Sequence, residues 1–183
     1  MNKELDAKLV QKFPKIFKNR YYKTALNWGF ACGDGWYNVI YSLCKNIQQH
    51  INRSRKNRLD ALIYNRALSR ALKGDFSSYQ RLNEWERMAL DKVLDDPEPQ
   101  LKIVPNACCQ VVATQVKEKF GSLRFYYVGG DKVIDGMVDL AETLSSVTCE
   151  ECGSPGVLRL GGWLRVLCDQ HAEGKEPFEN SPF

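Results

Sequence analysis

Cys149-Glu150-Glu151-Cys152-Gly153 and, after fifteen intervening residues, Cys168-Asp169-Gln170-His171 place three sulfurs and one imidazole in two pairs, each with a two-residue gap. That gap lets both side chains of a pair turn toward one ion, and two such pairs make the ligand set of a four-coordinate zinc site. Gly153 suits the tight knuckle turn, where a positive φ is needed. With Cys149, Cys152, Cys168 and His171 filling a tetrahedron, no position is left for substrate or activated water, so the expected zinc is structural. His171-Ala172-Glu173 repeats the H-x-E of zinc nucleobase deaminases. There, however, H-x-E precedes P-C-x-x-C beside an open metal position; here the order is reversed and a fourth ligand is present, which counts against catalysis.

Cys32, Cys44, Cys108 and Cys109 remain, with His50 as the one histidine outside the module. An odd cysteine total argues against a disulfide framework, and such residues are commonly small buried apolar groups. An enzyme with a Cys nucleophile and His50 as its base stays as one alternative. Gly33-Asp34-Gly35 lacks a phosphate-loop lysine and follows no clear strand, so it reads as turn chemistry ahead of a helix.

Two cationic sets are candidate ligand contacts. Lys117, Lys119, Arg124 and Tyr126 lie in one aromatic-rich stretch, where cations beside rings can hold a planar anion by phosphate pairing and stacking. Alternation on a hairpin would put Leu123, Phe125 and Tyr127 on one face and Arg124, Tyr126 and Val128 on the other. Arg53, Arg55, Lys56 and Arg58 form the second set, on a helix. Each pattern is equally that of a solvated strand end or helix face.

The elements that must carry these residues follow from periodicity. Leu5, Leu9, Phe13, Ile16 and Phe17 predict an amphipathic helix over 3–18, with Pro14 able to divide it. Ile40, Leu43, Ile47 and Ile51 predict a second helix from about Trp36, and the basic segment 52–73 a third or a continuation, ended by Gly74-Asp75. A further helix is expected over 78–94, stopped by Asp95-Asp96-Pro97-Glu98-Pro99. Leu101 to Val104, Gln110 to Glu118 and Leu123 to Val128 read as strands, with Lys119-Phe120-Gly121-Ser122 joining the last two. Asp131 opens a helix whose inner side is expected to hold Val133, Ile134, Met137, Leu140, Ala141 and Leu144. Between the cysteine pairs, Gly161-Gly162 suggests a two-residue hairpin turn, and His171 the first turn of a short helix.

The chain has 183 residues, 26 Lys and Arg against 22 Asp and Glu, and 44% hydrophobic residues. That composition excludes collagen-like, mucin-like and wholly disordered classes. Residues 1–73 carry a net +11 and residues 74–183 a net −7, which suggests an anionic partner for the first part or mutual complementarity of the two. No stretch is apolar enough for a membrane span, and Met1-Asn2-Lys3-Glu4-Leu5-Asp6 has no signal-peptide core, so an intracellular protein is expected.

Gly33-Asp34-Gly35-Trp36, Gln115-Val116-Lys117-Glu118-Lys119-Phe120-Gly121-Ser122-Leu123-Arg124-Phe125-Tyr126 and the Cys149 to His171 module, in this order, resemble a group of small proteins of tailed phages and prophages. The resemblance covers most of the chain. It implies work in the cytoplasm of an infected bacterium, and a viral accessory role such as inhibiting a host factor or sequestering a nucleotide signal of antiphage defence.

The expectation is an α+β protein. A basic helical region (1–96) precedes a strand hairpin plus helix (100–147), a treble-clef or ribbon-like zinc module (148–174) and a tail (175–183). The expected role is binding without catalysis, of nucleic acid or a nucleotide, with an inhibitor or assembly factor of a host or phage protein as the second class. Oligomeric state is open.

Overall fold

The computed structural model describes residues 1–22 and 24–178. It is a mixed molecule, 47% helix and 14% strand, with helices and small antiparallel sheets, as α+β requires. Two compact units are present: residues 1–50 with 109–183, and residues 51–108. No helix among the described residues is long and apolar enough to cross a membrane.

The first unit opens with α1 (Lys3–Lys12), capped by the Asn2 side chain accepting from the Leu5 N–H. The expected helix over 3–18 ends there, since Pro14 follows and Phe13 leaves helical geometry (φ −124°). Residues 13–22 turn instead, tied by the Arg20 guanidinium to the buried Asp6 carboxylate at 2.8 Å and to the carbonyls of Leu26 and Asn27. Phe13 against Tyr41 and Phe17 against Phe30 pack edge to face in the core.

A 3₁₀ turn at Asp34–Trp36 leads into α2 (Tyr37–Ala71), one uninterrupted helix where the sequence left one or two open. Its residues 37–50 bury Ile40, Leu43, Cys44 and Ile47 in the first unit.

Strands β1 (Val112–Lys119) and β2 (Ser122–Val128) pair antiparallel in the register Val116 to Phe125, Lys117 to Arg124, Lys119 to Ser122. The connection is Phe120-Gly121. Alternation holds: Leu123 and Phe125 are buried, Tyr126 and Val128 exposed. Ala31 lies beside β1, donating to the Val116 carbonyl and accepting from the Glu118 N–H. The outer donors of β2 are met by α4 (Lys132–Ser145), whose Ser145 hydroxyl accepts from Leu123 N–H and Glu142 carboxylate from Phe125 N–H. Asp131 caps α4 through the N–H groups of Val133 and Ile134, as predicted.

The buried face of α4 differs from the expected one. Ile134, Val138, Ala141 and Ser145 face inward, while Val133, Leu140 and Leu144 are exposed. The helix carries two neighbouring apolar stripes, and only one can meet the hairpin.

The unit closes with β3 (Val157–Arg159) paired to β4 (Arg165–Leu167). Residues 160–164 join them, a longer loop than Gly161-Gly162 suggested. The segment 175–178 runs beside β3, with Leu160 N–H donating to Glu176 and Phe178 N–H to Leu158. The rest of the expected tail, 179–183, lies outside the described residues.

In the second unit, residues 51–71 of α2 pack Tyr64, Ala67, Leu68 and Ala71 against Leu82 and against Leu90 of α3 (Glu84–Leu94). Gly74 takes φ +81° and lets Asp75 N–H reach back to the Arg70 carbonyl, ending the helix. Helix α3 starts six residues later than expected, at a capping box where Asn83 and Glu86 satisfy each other's backbone donors.

Leu101 to Val104 forms no strand, contrary to its composition. Its edge finds side chains rather than another strand. The Asn65 amide exchanges two hydrogen bonds of 2.8 Å with the backbone of Lys102, Arg58 donates to the Pro105 carbonyl at 2.9 Å, and the Ser54 hydroxyl accepts from Cys108 N–H. Proline at 105 cannot donate to a ladder.

Candidate metal centre and cationic surfaces

Cys149, Cys152, Cys168 and His171 bring one ligand atom each to within 4.8 Å of one another, a cluster that could hold a metal ion. Cys149 Sγ lies 3.7 Å and Cys168 Sγ 3.2 Å from His171 Nδ1, and Cys152 Sγ lies 3.8 Å from Cys168 Sγ. A tetrahedral ion bonded at about 2.3 Å to sulfur and about 2.0 Å to nitrogen has edges of about 3.5–3.8 Å; the Cys149–His171 and Cys152–Cys168 gaps lie at those edges, and the Cys168–His171 gap is shorter. They are far from the roughly 2.05 Å of a disulfide, and none of the three cysteines forms one.

Local backbone chemistry builds the cluster. Gly153 at φ +80° closes the knuckle with its N–H on the Cys149 carbonyl, and Cys149 N–H donates to Ser154. The Ser154 hydroxyl and N–H, helped by the neighbouring sulfurs, hold the Cys152 thiol below its ordinary value, while desolvation raises that of Cys168. Cys168 and His171 bracket a 3₁₀ turn at Asp169–His171, not an α-helical one. The buried Arg159 guanidinium pins that turn, pairing with Asp169 at 2.5 Å and donating to the Leu167 carbonyl.

Periodicity gave no sign of the neighbour that completes the site. Gly33-Asp34-Gly35-Trp36 lies directly on the knuckle: Gly35 N–H donates to the Glu150 carbonyl, Gly33 N–H to the buried Glu150 carboxylate and Trp36 Nε1 to the Thr148 carbonyl, each at 2.8 Å. A Cβ on Gly35 would stand 2.2 Å from the Cys149 carbonyl oxygen, and one on Gly33 2.2 Å from that of Glu150. Glu150 also pairs with Arg165 of β4, which reaches Glu151 as well. The glycines are thus a close-approach surface. The paired signal was in the sequence, two glycines flanking Asp34 ahead of a tryptophan, but nothing there said what they approach.

No protein-family model, curated protein or solved structure matches the chain. The site's chemistry therefore rests on its own geometry.

The two cationic sets lie in different units. On β1 and β2, Lys117 and Arg124 are cross-strand partners, and Lys117 Nζ sits 5.5 Å from the Tyr126 ring centroid. Lys119 Nζ is 5.3 Å from the ring of Phe120. Arg124 is taken up internally, pairing with Glu142 at 3.4 Å and donating to Ser122 Oγ and the Leu123 carbonyl. On α2, Arg58 is spent on the Pro105 carbonyl and Lys56 pairs with Asp60. Arg53 and Arg55 are exposed. Arg66 and Lys73 are exposed on the same helix and its end, a pair not singled out above.

The nucleophile alternative loses two candidates. Cys32 and Cys44 are buried, and burial pushes the Cys32 thiol up to about 12 and Cys44 upward as well, so neither supplies thiolate at neutral pH.

Proposed function

We propose that the chain is a nucleic-acid-binding protein stapled by a structural zinc. Zinc is the ion that best suits three thiolates and an imidazole in a closed tetrahedron. Knuckle, short hairpin and turn in that order are those of a treble-clef or ribbon-like module, and coordination supplies folding free energy that about 25 residues cannot get from a core.

The observation that carries the binding role is the cationic stretch of α2, on which Arg55 and Arg66, eleven positions apart, share one exposed face. Residues 51–73 hold seven cations and one acid, and Arg53, Arg55, Arg66 and Lys73 point to solvent. The residues 51–71 span about 30 Å, enough to follow a phosphate backbone, where each cation that replaces a counterion adds to the salt dependence. A bacterial cell under phage infection is the proposed setting, and countering host defence the proposed use.

The test is binding of a labelled oligonucleotide at several salt concentrations. Affinity should fall steeply with salt, and Arg55→Glu with Arg66→Glu should weaken it and reduce the log–log slope by about 2. Salt-independent affinity, or an unchanged slope in the double variant, contradicts the reading.

A second reading, an inhibitor or assembly factor for a protein, is favoured by the exposed α4 stripe of Val133, Leu140 and Leu144. It predicts capture of one stoichiometric protein that survives nuclease treatment and is lost in Leu140→Lys.

A further inference from the structure

The tip of the β1–β2 hairpin has features that the row on α2 does not explain. Phe120 adopts φ +56°, a left-handed conformation that a bulky side chain rarely takes, and its ring is 71% exposed. The two-residue turn requires a positive φ at both Phe120 and Gly121 (φ +79°), positions that favour Asn and Gly, so an exposed phenylalanine held there points to use of its ring rather than to packing. Trp163, from the β3–β4 loop, is 69% exposed, yet its ring is oriented: Nε1 donates to Glu118 Oε2 at 2.8 Å, while Glu118 Oε1 accepts from Gly121 N–H at 2.7 Å. One carboxylate oxygen thus orients Trp163, and the other holds the turn that carries Phe120. Gly121 lies so close to β3 that a Cβ there would be 2.3 Å from Leu158 Cδ1, which holds the hairpin tip against the metal module.

Between these parts is a cavity of about 550 Å³ lined by Lys117, Glu118, Lys119, Phe120, Trp163 and Leu164. Its size is that of a small-ligand site. Its lining combines two aromatic rings and two lysines with the Glu118 carboxylate, which the Trp163 and Gly121 N–H groups already engage. An apolar peptide would leave two ammonium groups unanswered, and a bare phosphate would leave two exposed rings unused. A planar aromatic ring bonded to a phosphate answers both.

We propose that this cavity takes an unpaired nucleotide, its base stacked on Phe120 and Trp163 and its phosphate met by Lys117 and Lys119. The inference rests on the nucleic-acid reading and deepens it, since a base stacked in a duplex cannot reach the rings. Single strands should therefore be preferred over the same sequence as duplex.

The test uses the full chain with its metal, a twelve-nucleotide single strand, the matching duplex, and AMP and GMP as free nucleotides. Phe120→Gly is the decisive variant, because it relieves the strained φ: its melting temperature should equal or exceed that of the wild type while single-strand affinity falls. Removing one stacking platform should cost about 5- to 150-fold, in Phe120→Gly and in Trp163→Ala, with duplex binding little changed. Binding of AMP or GMP with the same sensitivity makes a free nucleotide the ligand; binding of the strand alone makes it an unpaired segment. If both variants bind single strands like the wild type while duplex affinity still responds to Arg55 and Arg66, this inference fails and the broader reading stands. Absence of binding to every probe overturns both.

Discussion

A methyl group at position 35 would collide with the Cys149 carbonyl and the N–H groups of Cys152 and Gly153, none of which can yield without opening the knuckle. Gly35→Ala should therefore cost about 3 kcal/mol or more, read by urea unfolding, and should weaken metal retention in the same protein. Gly136, inside α4 with open space around its Cα, is the opposite case: Gly136→Ala should stabilise by about 1 kcal/mol. Titration of Cys32 adds a pH dependence. Its thiol, ordinarily near 9.0, is raised to about 12 by burial, so the unfolded chain ionises first. Stability from this group is intact below pH 9.0 and is lost as pH climbs toward 12, and Cys44 acts in the same direction. Thiol reagents at pH 8 should leave both residues unlabelled while the fold persists. At this scale the four ligands were legible because spacing encodes coordination. The role of Gly33 and Gly35 was not, because close approach depends on a segment more than 110 residues away.

Among the elements, the helices were easiest to read and their ends hardest. Leu9, Phe13 and Ile16 keep helical spacing past Pro14, so periodicity alone overran the true end at Lys12. Leu101 to Val104 had strand composition, yet forms no strand, and the Asn65 side chain meets the Lys102 N–H and carbonyl that a ladder would use. The inner face of α4 was misread because Val133, Leu140 and Leu144 are as apolar as Ile134 and Val138; which stripe is buried depends on where Glu142 and Ser145 meet β2. Cap chemistry gives a clean check at this level. Asn83→Ala removes one half of the capping box and should cost about 1 kcal/mol, seen as a lower urea midpoint with an unchanged slope.

For the molecule as a whole, the Cys3His cluster lies where parts distant in sequence meet. Cys149 to Gly153 holds Gly33 to Trp36, and Cys32 is followed without a break by those contacts. Trp36 is fully buried at the start of α2, so the knuckle underlies the entry to the longest helix. A metal held there would act as a staple, and the recognition proposed for this chain falls to the α2 cations and the hairpin tip. The measurement that reaches this claim most directly is native mass spectrometry of the purified chain with and without chelator. One zinc per chain is expected, with its removal converting the compact charge states to those of an expanded chain. A chain that is compact and metal-free as purified, or that loses its metal without expanding, would contradict the account.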